Sequence, residues 1–405
     1  MSPLLSILLL AAFSGGGEPA EAPLLVLKAA KVFTADEELG VIDNGAVVVA
    51  GERIRWVGRA AELEVPEGAE VLDLGRRWLV PGLIEPHCHI AGSLSDLNDG
   101  VYLTNPDLNS HCTVEPGRKE IGDAVAGGVT SALLIPGSAV NMTGFGMLVK
   151  MGGRDVEEMV VRSPGSLKVA QAGNPERWGF GPGRTMMNFN TRTTLQRGLA
   201  WAEAWERGET AFDPFWDDFS ALRDGRVPVS VHTQMYQVVL TTLTMLKRDL
   251  GLDAFVDHGT FDGYKTAHLA AELGVPVMNG PRQYWFDRTT GRIQGCTAGW
   301  AEAVEEGLIL GYNTDAPVVP EEDLVYQAAM GVRLGHDDPE GALEGVTAHA
   351  ARALNYDDRA GRILPGLDAD LVCWEGYPLD RRSHVLKAWI RGRKVYDAEE
   401  ERQRY

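Results

Sequence analysis

Residues 78–89, with the sequence WLVPGLIEPHCH, decide the fold. The stretch is an apolar run that ends in two histidines, His87 and His89, placed two positions apart. Side chains two apart on a strand point to the same face, so a strand here directs both imidazoles to one side. Two imidazoles on one side can bind one divalent cation. The stretch therefore predicts a strand with half of a metal site at its carboxyl end.

After this stretch, apolar strand-like segments alternate with helix-like segments. The strand-like segments include 129–135, 227–231, 255–256 and 275–278. Such alternation is typical of parallel strands joined by crossover helices. It continues for roughly 265 residues, close to the ~250 residues of a (β/α)8 barrel. We therefore predict the α/β class, with a (β/α)8 TIM barrel over 79–350 and a helical insertion within 177–224.

Both ends of the chain carry short β-branched runs broken by turn residues. They occupy 23–73 and 370–396, with a hairpin signal at Arg391-Gly392-Arg393. Neither piece has enough strands to enclose a core alone. We expect 23–78 and 351–405 to form one discontinuous β-sandwich domain.

Three further residues able to bind a metal end later strand-like runs. His232 follows VPVSV, His258 ends AFVDH, and Asp315 ends LILGYNTD. The carboxyl ends of barrel strands share one face, where the active sites of such barrels lie. We expect these residues to meet His87 and His89 there.

Several motifs together resemble the amidohydrolase superfamily of metal-dependent hydrolases. They are PGLIEPHCH (81–89), GVTSALLIPGS (128–138), VDHG (256–259), NTDAP (313–317) and AGRILPGLDADLVCW (360–374). The likeness runs from about residue 24 to 397. It is nearest to the imidazolonepropionase-like branch, which includes dipeptidases acting on Xaa-Pro or Xaa-Arg substrates. It implies metal ligands at His87, His89, His232, His258 and Asp315.

The resemblance also implies a reaction. A Zn²⁺ ion held by imidazoles lowers the pKa of its water from 15.7 to about 7. Asp315 is the expected general base, and His258 either contacts a metal or polarises the substrate carbonyl. The expected reaction is hydrolysis of an amide, a cyclic amide or a small peptide by direct attack of water.

The number of metal ions depends on a bridging carboxylate. Relatives that read GENP carry Glu where this chain has Gly173, so that group is missing. Lys168 precedes Gly173 by five residues, which predicts a separation of about 16 Å along a strand. Lys150 ends the preceding strand-like run and is the other candidate. One zinc ion is favoured over two, and other divalent metals stay open.

Loops at the carboxyl ends of barrel strands contact substrate. We expect substrate contacts from Asn141, Gln234, Tyr236, Arg282 and Tyr284. Arg282 or Arg184 could bind a substrate carboxylate through two hydrogen bonds. Plain turn chemistry and packing are the alternatives for these residues.

Composition excludes several classes of partner. The chain has 38 basic and 57 acidic residues, a formal net charge of −19, which opposes binding to nucleic acid or anionic lipid. Its four cysteines are widely separated and form no CxxC pair, so a zinc ribbon is not indicated. A small molecule or small peptide is the expected partner, and the oligomeric state is left open.

The first residues resemble an export signal. The apolar run 4–13 is too short to span a bilayer, and Ala20-Glu21-Ala22 offers small residues at a cleavage site. We predict a signal peptide over 1–22, a periplasmic or secreted protein and no stable membrane anchor. The alternative is a cytoplasmic protein with an uncleaved N-terminus.

Two other functions share the same residues. The missing carboxylate at Gly173 would suit a barrel that has lost catalysis and only binds a ligand. A deaminase of the same superfamily would keep the same metal ligands. The retained Asp315 favours an enzyme, because a binding protein needs no general base.

Overall fold

The computed structural model describes residues 23–90, 92–177 and 181–401. The predicted signal peptide at 1–22 lies outside these residues. The strands are β1 Leu24–Phe33, β2 Val41–Ala50, β3 Arg53–Arg59, β4 Glu70–Asp73, β5 Trp78–Pro81, β6 Leu83–Cys88, β7 Val129–Leu134, β8 Met142–Phe145, β9 Met147–Lys150, β10 Val160–Arg162, β11 Leu167–Ala170, β12 Val229–Thr233, β13 Ala254–His258, β14 Val277–Asn279, β15 Tyr284–Asp287, β16 Arg292–Gly295, β17 Leu310–Tyr312, β18 Leu371–Trp374, β19 Val385–Ile390 and β20 Arg393–Asp397.

The helices follow the central strands. They are α1 Lys119–Ala126, α2 Val156–Met159, α3 Asn174–Arg177, α4 Arg184–Glu206, α5 Phe219–Arg223, α6 Tyr236–Leu243, α7 Ala267–Leu273, α8 Cys296–Ala301, α9 Leu324–Arg333, α10 Pro339–Glu344 and α11 Ala348–Ala353. A π-helical turn over Thr244–Asp249 continues α6. Within the described residues, no helix combines the length and apolarity that a bilayer crossing requires.

The two ends of the chain share one eight-stranded sheet. Its order is β20-β19-β18-β5-β1-β2-β3, and β4 pairs with β1. Antiparallel pairing of β5 with β18 joins the two ends, with Trp78 opposite Trp374. One face of this sheet buries an apolar cluster that includes Leu27, Val47, Leu79, Leu371 and Trp389. Burial of this cluster stabilises the contact between the terminal segments, since each buried aliphatic side chain contributes about 1.5–3 kcal/mol.

The middle of the chain holds the parallel strands, which confirms the α/β class. A six-stranded sheet has the order β17-β14-β13-β12-β11-β8, and every neighbouring pair from β11 to β17 is parallel. A four-stranded sheet has the order β10-β9-β7-β6, with β6 and β7 parallel. The carboxyl ends of these parallel strands carry the polar residues that the sequence analysis selected.

One strand position departs from the predicted alternation of strands and helices. Residues 142–150 run antiparallel to both neighbours, because β8 pairs with β11 and β9 pairs with β7. The connection that precedes them, 135–141, is shorter than the dozen or so residues that a parallel crossover needs. The chain therefore turns back on itself at this position, and the prediction of uninterrupted β/α units is wrong here.

The first and last parallel strands approach each other beside the two histidines. Cys88 and Ala316 form a parallel bridge, and the backbone N–H of His89 donates to the carbonyl oxygen of Ala316 at 2.8 Å. This contact places the end of β6 next to the segment after β17. His89 and Asp315 are therefore brought together by backbone pairing alone.

The segment 177–224 is largely helical, as predicted. It contains α4 and α5, which cross closely at Gly198. A Cβ atom at Gly198 would lie 2.1 Å from a ring carbon of Phe219, so only glycine allows this approach. The start of α4 brings Arg184 to the wall of a cavity of about 600 Å³.

Lys150 lies between the central strands and the terminal sheet, and the structure corrects its expected place at the metal site. Its side chain is buried and forms ion pairs with Asp370 and, at 3.1 Å, with Asp368. Burial alone would lower the pKa of Lys150, but the carboxylates of Asp370 and Asp368 and the nearby Tyr356 outweigh it, and the pKa is raised. Lys150 therefore stays charged and holds the C-terminal segment to the central strands.

We predict that Lys150→Met destabilises the fold by about 3 kcal/mol, because it leaves the buried carboxylate of Asp370 without its cation, while Asp368 keeps its ion pairs with Arg53 and Arg359. The measurement is the free energy of unfolding in urea. The control is Lys31→Met, which removes an exposed ion pair with Asp43 and should cost under about 1 kcal/mol. Equal losses in the two variants would contradict a structural role for Lys150.

Candidate metal centre

Three predicted ligands converge at the ends of β6 and β17. His87 Nε2 lies 3.2 Å from His89 Nε2, and Asp315 Oδ1 lies 3.1 Å and 3.3 Å from these two nitrogens. Both imidazoles are buried, and the Asp315 side chain is about one-fifth exposed. Their donor atoms form a compact group of the size that a metal ion occupies. The structure thus brings together the residues that the sequence analysis placed on one face.

Hydrogen bonds fix which nitrogen of each imidazole faces this group. His89 Nδ1 donates to the carbonyl oxygen of Ile135 at 2.8 Å, and His258 Nδ1 donates to that of Gly280 at 2.8 Å. A carbonyl oxygen only accepts, so Nδ1 carries the proton and Nε2 presents a lone pair in the neutral ring. A lone pair on Nε2 is what a metal ion requires.

His232 and His258 lie beside the first group. Their ring centroids are 4.4 Å apart, and His258 is 4.7 Å from His87. Neither nitrogen of His232, nor Nε2 of His258, has a hydrogen-bond partner within the described part of the chain. Buried polar atoms are almost always paired, so these orphaned nitrogens fit a bound cation.

Burial keeps these two imidazoles neutral. It lowers the pKa of His232 well below its ordinary value, with His258 and Lys168 adding to the shift. It also lowers the pKa of His258 to about 4, although Asp315 opposes the shift. Burial would raise the pKa of Asp315, but His87 and His258 outweigh it and the carboxyl group stays ionised. Neutral imidazoles beside a carboxylate are ligands that Zn²⁺ prefers.

The backbone is strained at two of the ligands. His258 has φ +73° and Asp315 has φ +50°, a left-handed conformation that residues other than glycine rarely adopt. Such strain is concentrated at functional sites, where the surrounding structure enforces it. At both positions it occurs where the strand ends and the side chain enters the site.

A buried network behind His87 was missed by the sequence analysis. His87 Nδ1 lies 3.0 Å from Asp257 Oδ2, which also accepts hydrogen bonds from Lys168 Nζ at 2.7 Å and from Ser230 Oγ. This carboxylate orients the ring of His87 and leaves Nε2 for a metal. Strict strand alternation assigns Asp257 and His258 to opposite faces, but the left-handed backbone of His258 breaks it. The only signal was the adjacency of the two residues in VDHG.

The structure also corrects the position of Lys168. Its Nζ lies 3.4 Å from His87 Nδ1 and the residue is fully buried, so it belongs to the site. The predicted separation of about 16 Å between Lys168 and Gly173 assumed a continuous strand and considered only its backbone rise. In fact β11 ends at Ala170, and the long side chain of Lys168 extends from it toward the site.

A cavity of about 600 Å³ opens next to these residues. Predicted substrate contacts Gln234, Arg282 and Tyr284 lie in its wall together with Arg184. The other lining residues are Gly173, Asn174, Glu176, Arg177, Met235, His258, Thr260, Phe261, Gly280, Pro281, Asp315, Val318 and Val319. A cavity of this size fits a small molecule or a short peptide.

Two predicted substrate contacts do not reach the cavity. Asn141 is fully buried and its amide donates to the carbonyl oxygen of Ala170 at 2.8 Å and to Thr191 at 3.2 Å, so it packs the loop below the site. Tyr236 begins α6, its backbone N–H donates to Asp262, and it is not part of the cavity wall. Proximity in sequence to His232 was a poor guide, because the chain turns into a helix at Tyr236.

Gly173 lies directly beside His232. It has φ +81°, and a Cβ atom there would lie 3.2 Å from His232 Nε2. The position thus faces the orphaned nitrogens but supplies no ligand atom. Its backbone N–H donates to Glu176 Oε2 at 2.8 Å, which fixes the loop at the cavity wall.

Comparisons with known proteins agree with this geometry. The model of the Amidohydrolase family matches residues 248–396. An imidazolonepropionase of Pseudomonas paraeruginosa is 26% identical over 87% of this chain and 91% of its own. The amidohydrolase tasK of Hapsidospora irregularis is 25% identical over 95% of this chain, which matches only 44% of that longer protein.

Solved structures show the same likeness. An amidohydrolase from Thermotoga maritima superposes with a TM-score of 0.81 and 29% identity over 92% of this chain and all of its own. An adenosine deaminase from Xanthomonas campestris with bound zinc has a TM-score of 0.55 at 21% identity, over 94% of each chain. The second likeness concerns the fold alone.

We predict that His87→Ala and His89→Ala each lower the metal content of the purified protein at least ~10-fold, since each removes a converging donor. Elemental analysis by mass spectrometry measures the metal per chain. The control is His268→Ala, an exposed histidine paired with Glu306, which should leave the metal content unchanged. Unchanged metal in both site variants would show that the histidines do not bind it.

We predict that Asp257→Asn raises the dissociation constant for Zn²⁺ about 10- to 100-fold while the chain stays folded, because the ring of His87 loses its orienting carboxylate. Competition with a chromophoric chelator gives that constant. The matched control is Asp287→Asn, on an exposed hairpin. A constant within twofold of wild type would contradict an orienting role.

Proposed function

We propose that this chain, as a member of the amidohydrolase superfamily in its imidazolonepropionase-like branch, hydrolyses carbon–nitrogen bonds with one Zn²⁺ ion bound by His87, His89, His232, His258 and Asp315. The observation that carries the proposal is the convergence of His87 Nε2, His89 Nε2 and a carboxylate oxygen of Asp315 on one small volume, with the unpaired nitrogens of His232 and His258 beside it. Bound there, zinc supplies a water molecule with a pKa near 7.

Asp315 is the proposed general base. Its carboxylate stays ionised and is partly open to the cavity, so it can take the proton of the attacking water. The same oxygen can return the proton to the leaving nitrogen when the tetrahedral intermediate collapses. No other carboxylate of the cavity wall is available within the described residues, since Glu176 is held by Arg184 and by Gly173.

His258 is the proposed metal ligand and does not polarise the carbonyl. Its Nδ1 proton is committed to Gly280, and a pKa of about 4 leaves Nε2 without a proton near neutral pH. A ring in this state cannot donate a hydrogen bond from Nε2 to a developing oxyanion. The geometry thus favours metal binding by His258 over polarisation of the substrate carbonyl.

One metal ion remains the proposal. Gly173 contributes no bridging carboxylate beside His232. Lys168 contacts His87 at Nδ1, behind the ring, and its ammonium group is held by Asp257. Neither Gly173 nor Lys168 therefore places a bridging ligand between the His87–His89 pair and the His232–His258 pair.

The proposed scaffold is a closed (β/α)8-type barrel with one antiparallel strand position. The bridge between Cys88 and Ala316 supports closure, because it connects the ends of the two central sheets. The proposed substrates are small amides, cyclic amides or short peptides. Similarity to an imidazolonepropionase and the volume of the cavity support this range.

We predict hydrolysis of at least one compound in a panel of dipeptides, N-acyl amino acids and lactams, lost on chelation and restored by Zn²⁺. Asp315→Asn should lower kcat by about 10²- to 10⁴-fold through loss of the general base. His268→Ala is the control and should keep wild-type turnover. Turnover that survives both chelation and Asp315→Asn would contradict the proposed mechanism.

A further inference from the structure

We infer that a second cavity, between the central strands and the terminal sheet, binds a phosphate group through Arg391 and Arg393. The cavity has a volume of about 420 Å³. Its wall consists of Glu52, Lys150, Gly152, Arg154, Glu158, Ile390, Arg391 and Arg393. Four of these side chains are cationic and only two are acidic, although the chain as a whole has a formal net charge of −19. The cavity thus runs against the charge of the rest of the protein.

The second cavity lies away from the metal centre. Lys150 on β9 pairs with Ser131 on β7. Ser131 pairs in turn with Ile84 on β6, three residues before His87. The cavity is therefore displaced toward the amino ends of β6 and β7, whereas the metal ligands lie at the carboxyl ends. No described residue lines both this cavity and the one beside Asp315, so a ligand here leaves the substrate's place free.

Two of the four cations are already neutralised. Lys150 is paired with Asp370 and Asp368. Arg154 donates from Nε to Glu158 Oε1 at 2.7 Å, and its backbone N–H donates to Oε2 at 2.9 Å. These bonds lower the pKa of Glu158 to about 2, so its carboxylate stays ionised and balances the charge of Arg154.

The guanidinium groups of Arg391 and Arg393 form no ion pair within the described residues. Arg393 Nη2 donates to the carbonyl oxygen of Gly152 at 2.6 Å, which holds the group at the wall without neutralising it. Arg391 Nε is shielded from solvent and has no hydrogen-bond partner in the part of the chain that the structure describes. Buried donors are almost always paired, so this nitrogen fits a bound acceptor. Glu52, the remaining acid of the wall, leaves an excess of one positive charge.

The turn that carries Arg391 supports the same role. Arg391 and Gly392 form the two-residue loop between β19 and β20, and their φ angles are +48° and +73°. Such hairpin loops favour Asn-Gly or Asp-Gly, because both residues must adopt a positive φ. Arginine is therefore a costly choice at the first position, and strain of this kind is concentrated at functional sites. The backbone N–H of Arg391 donates to Asp370 Oδ1 at 2.9 Å, which fixes the turn.

A phosphate group matches two guanidinium groups. Each guanidinium presents a fork of N–H donors that can bind two oxygens of one anion. Arg391 and Arg393 are two residues apart, a span of at most about 7 Å, so both can reach the same anion. A phosphate group on an ester carries about 1.5–2 negative charges at pH 7 and three acceptor oxygens, more than a carboxylate offers. The volume of the cavity also accommodates the rest of a small phosphate ester.

The test is isothermal titration calorimetry of the zinc-loaded full chain with inorganic phosphate, glycerol 3-phosphate and acetate at constant ionic strength. We expect both phosphate compounds to bind at least ~10-fold more tightly than acetate, which has one charge and two oxygens. Tighter binding of glycerol 3-phosphate than of inorganic phosphate would assign the cavity to phosphate esters, and the reverse order would assign it to the free ion.

Arg391→Asn is the decisive variant, because it removes the guanidinium and gives the hairpin its preferred Asn-Gly loop. It should weaken phosphate binding at least ~10-fold, since a charged hydrogen-bond donor is lost. The free energy of unfolding in urea, measured without phosphate, should equal or exceed that of the wild type. Arg393→Gln should also weaken binding at least ~10-fold. The control is Arg381→Gln, an exposed arginine outside the wall, which should change binding less than about twofold.

His87→Ala separates the second cavity from the metal centre, where phosphate could bind to zinc instead. Phosphate binding within about twofold of the wild type in this variant would support the inference, because distant sites without shared partners act independently.

No binding of either phosphate compound at millimolar concentration, or acetate binding as tight as that of phosphate, would overturn the inference. Phosphate binding that survives both Arg391→Asn and Arg393→Gln would also overturn it. Binding that is lost in His87→Ala but unchanged in Arg391→Asn would place the anion on the metal and contradict a second site.

Discussion

The candidate metal site depends on the hydrogen bonds that the outer nitrogens of its imidazoles make. The Nδ1 atoms of His87, His89 and His258 are committed to Asp257, Ile135 and Gly280, and the Nε2 atoms of His87 and His89 converge on one small volume, 3.2 Å apart. A carboxylate oxygen of Asp315 shares the same volume. Electron pairs that converge in this way repel each other unless a cation or a proton lies between them. The hydrogen bonds of the outer nitrogens thus make this group of histidines a candidate metal site.

The fold supplies that commitment through its strand ends. The outer hydrogen bonds of His89 and His258 go to the residue that follows the neighbouring strand, whereas His87 contacts Asp257 on β13, a strand of the other central sheet. The imidazoles therefore keep their orientation as long as both sheets hold their positions. His258 and Asp315 adopt a strained left-handed backbone, because their side chains turn into the site where the strands end. Behind His87, the buried group of Lys168, Asp257 and Ser230 holds the ring in place through hydrogen bonds.

Much of this site could be predicted from the sequence, and the reasons differ by residue. The His-x-His pair and the three later strand-end residues follow from strand periodicity and from the shared face of parallel strand ends. Lys168 and Asp257 could not be placed, because their role depends on which strand ends early and which residue breaks alternation. Asn141 and Tyr236 lie away from the cavity wall, because Asn141 belongs to a buried loop and Tyr236 begins a helix. The antiparallel direction of segment 142–150 could not be predicted, because it follows from the short connection 135–141 and the apolar pattern does not show how long a connection is.

X-ray absorption spectroscopy of the zinc-loaded protein tests the central claim most directly, because it reports the ligands of the ion itself. We expect one class of zinc with nitrogen and oxygen neighbours at about 2.0–2.2 Å and the outer-shell scattering of several imidazoles. Sulfur scattering near 2.3 Å, or a spectrum without imidazole scattering, would contradict it.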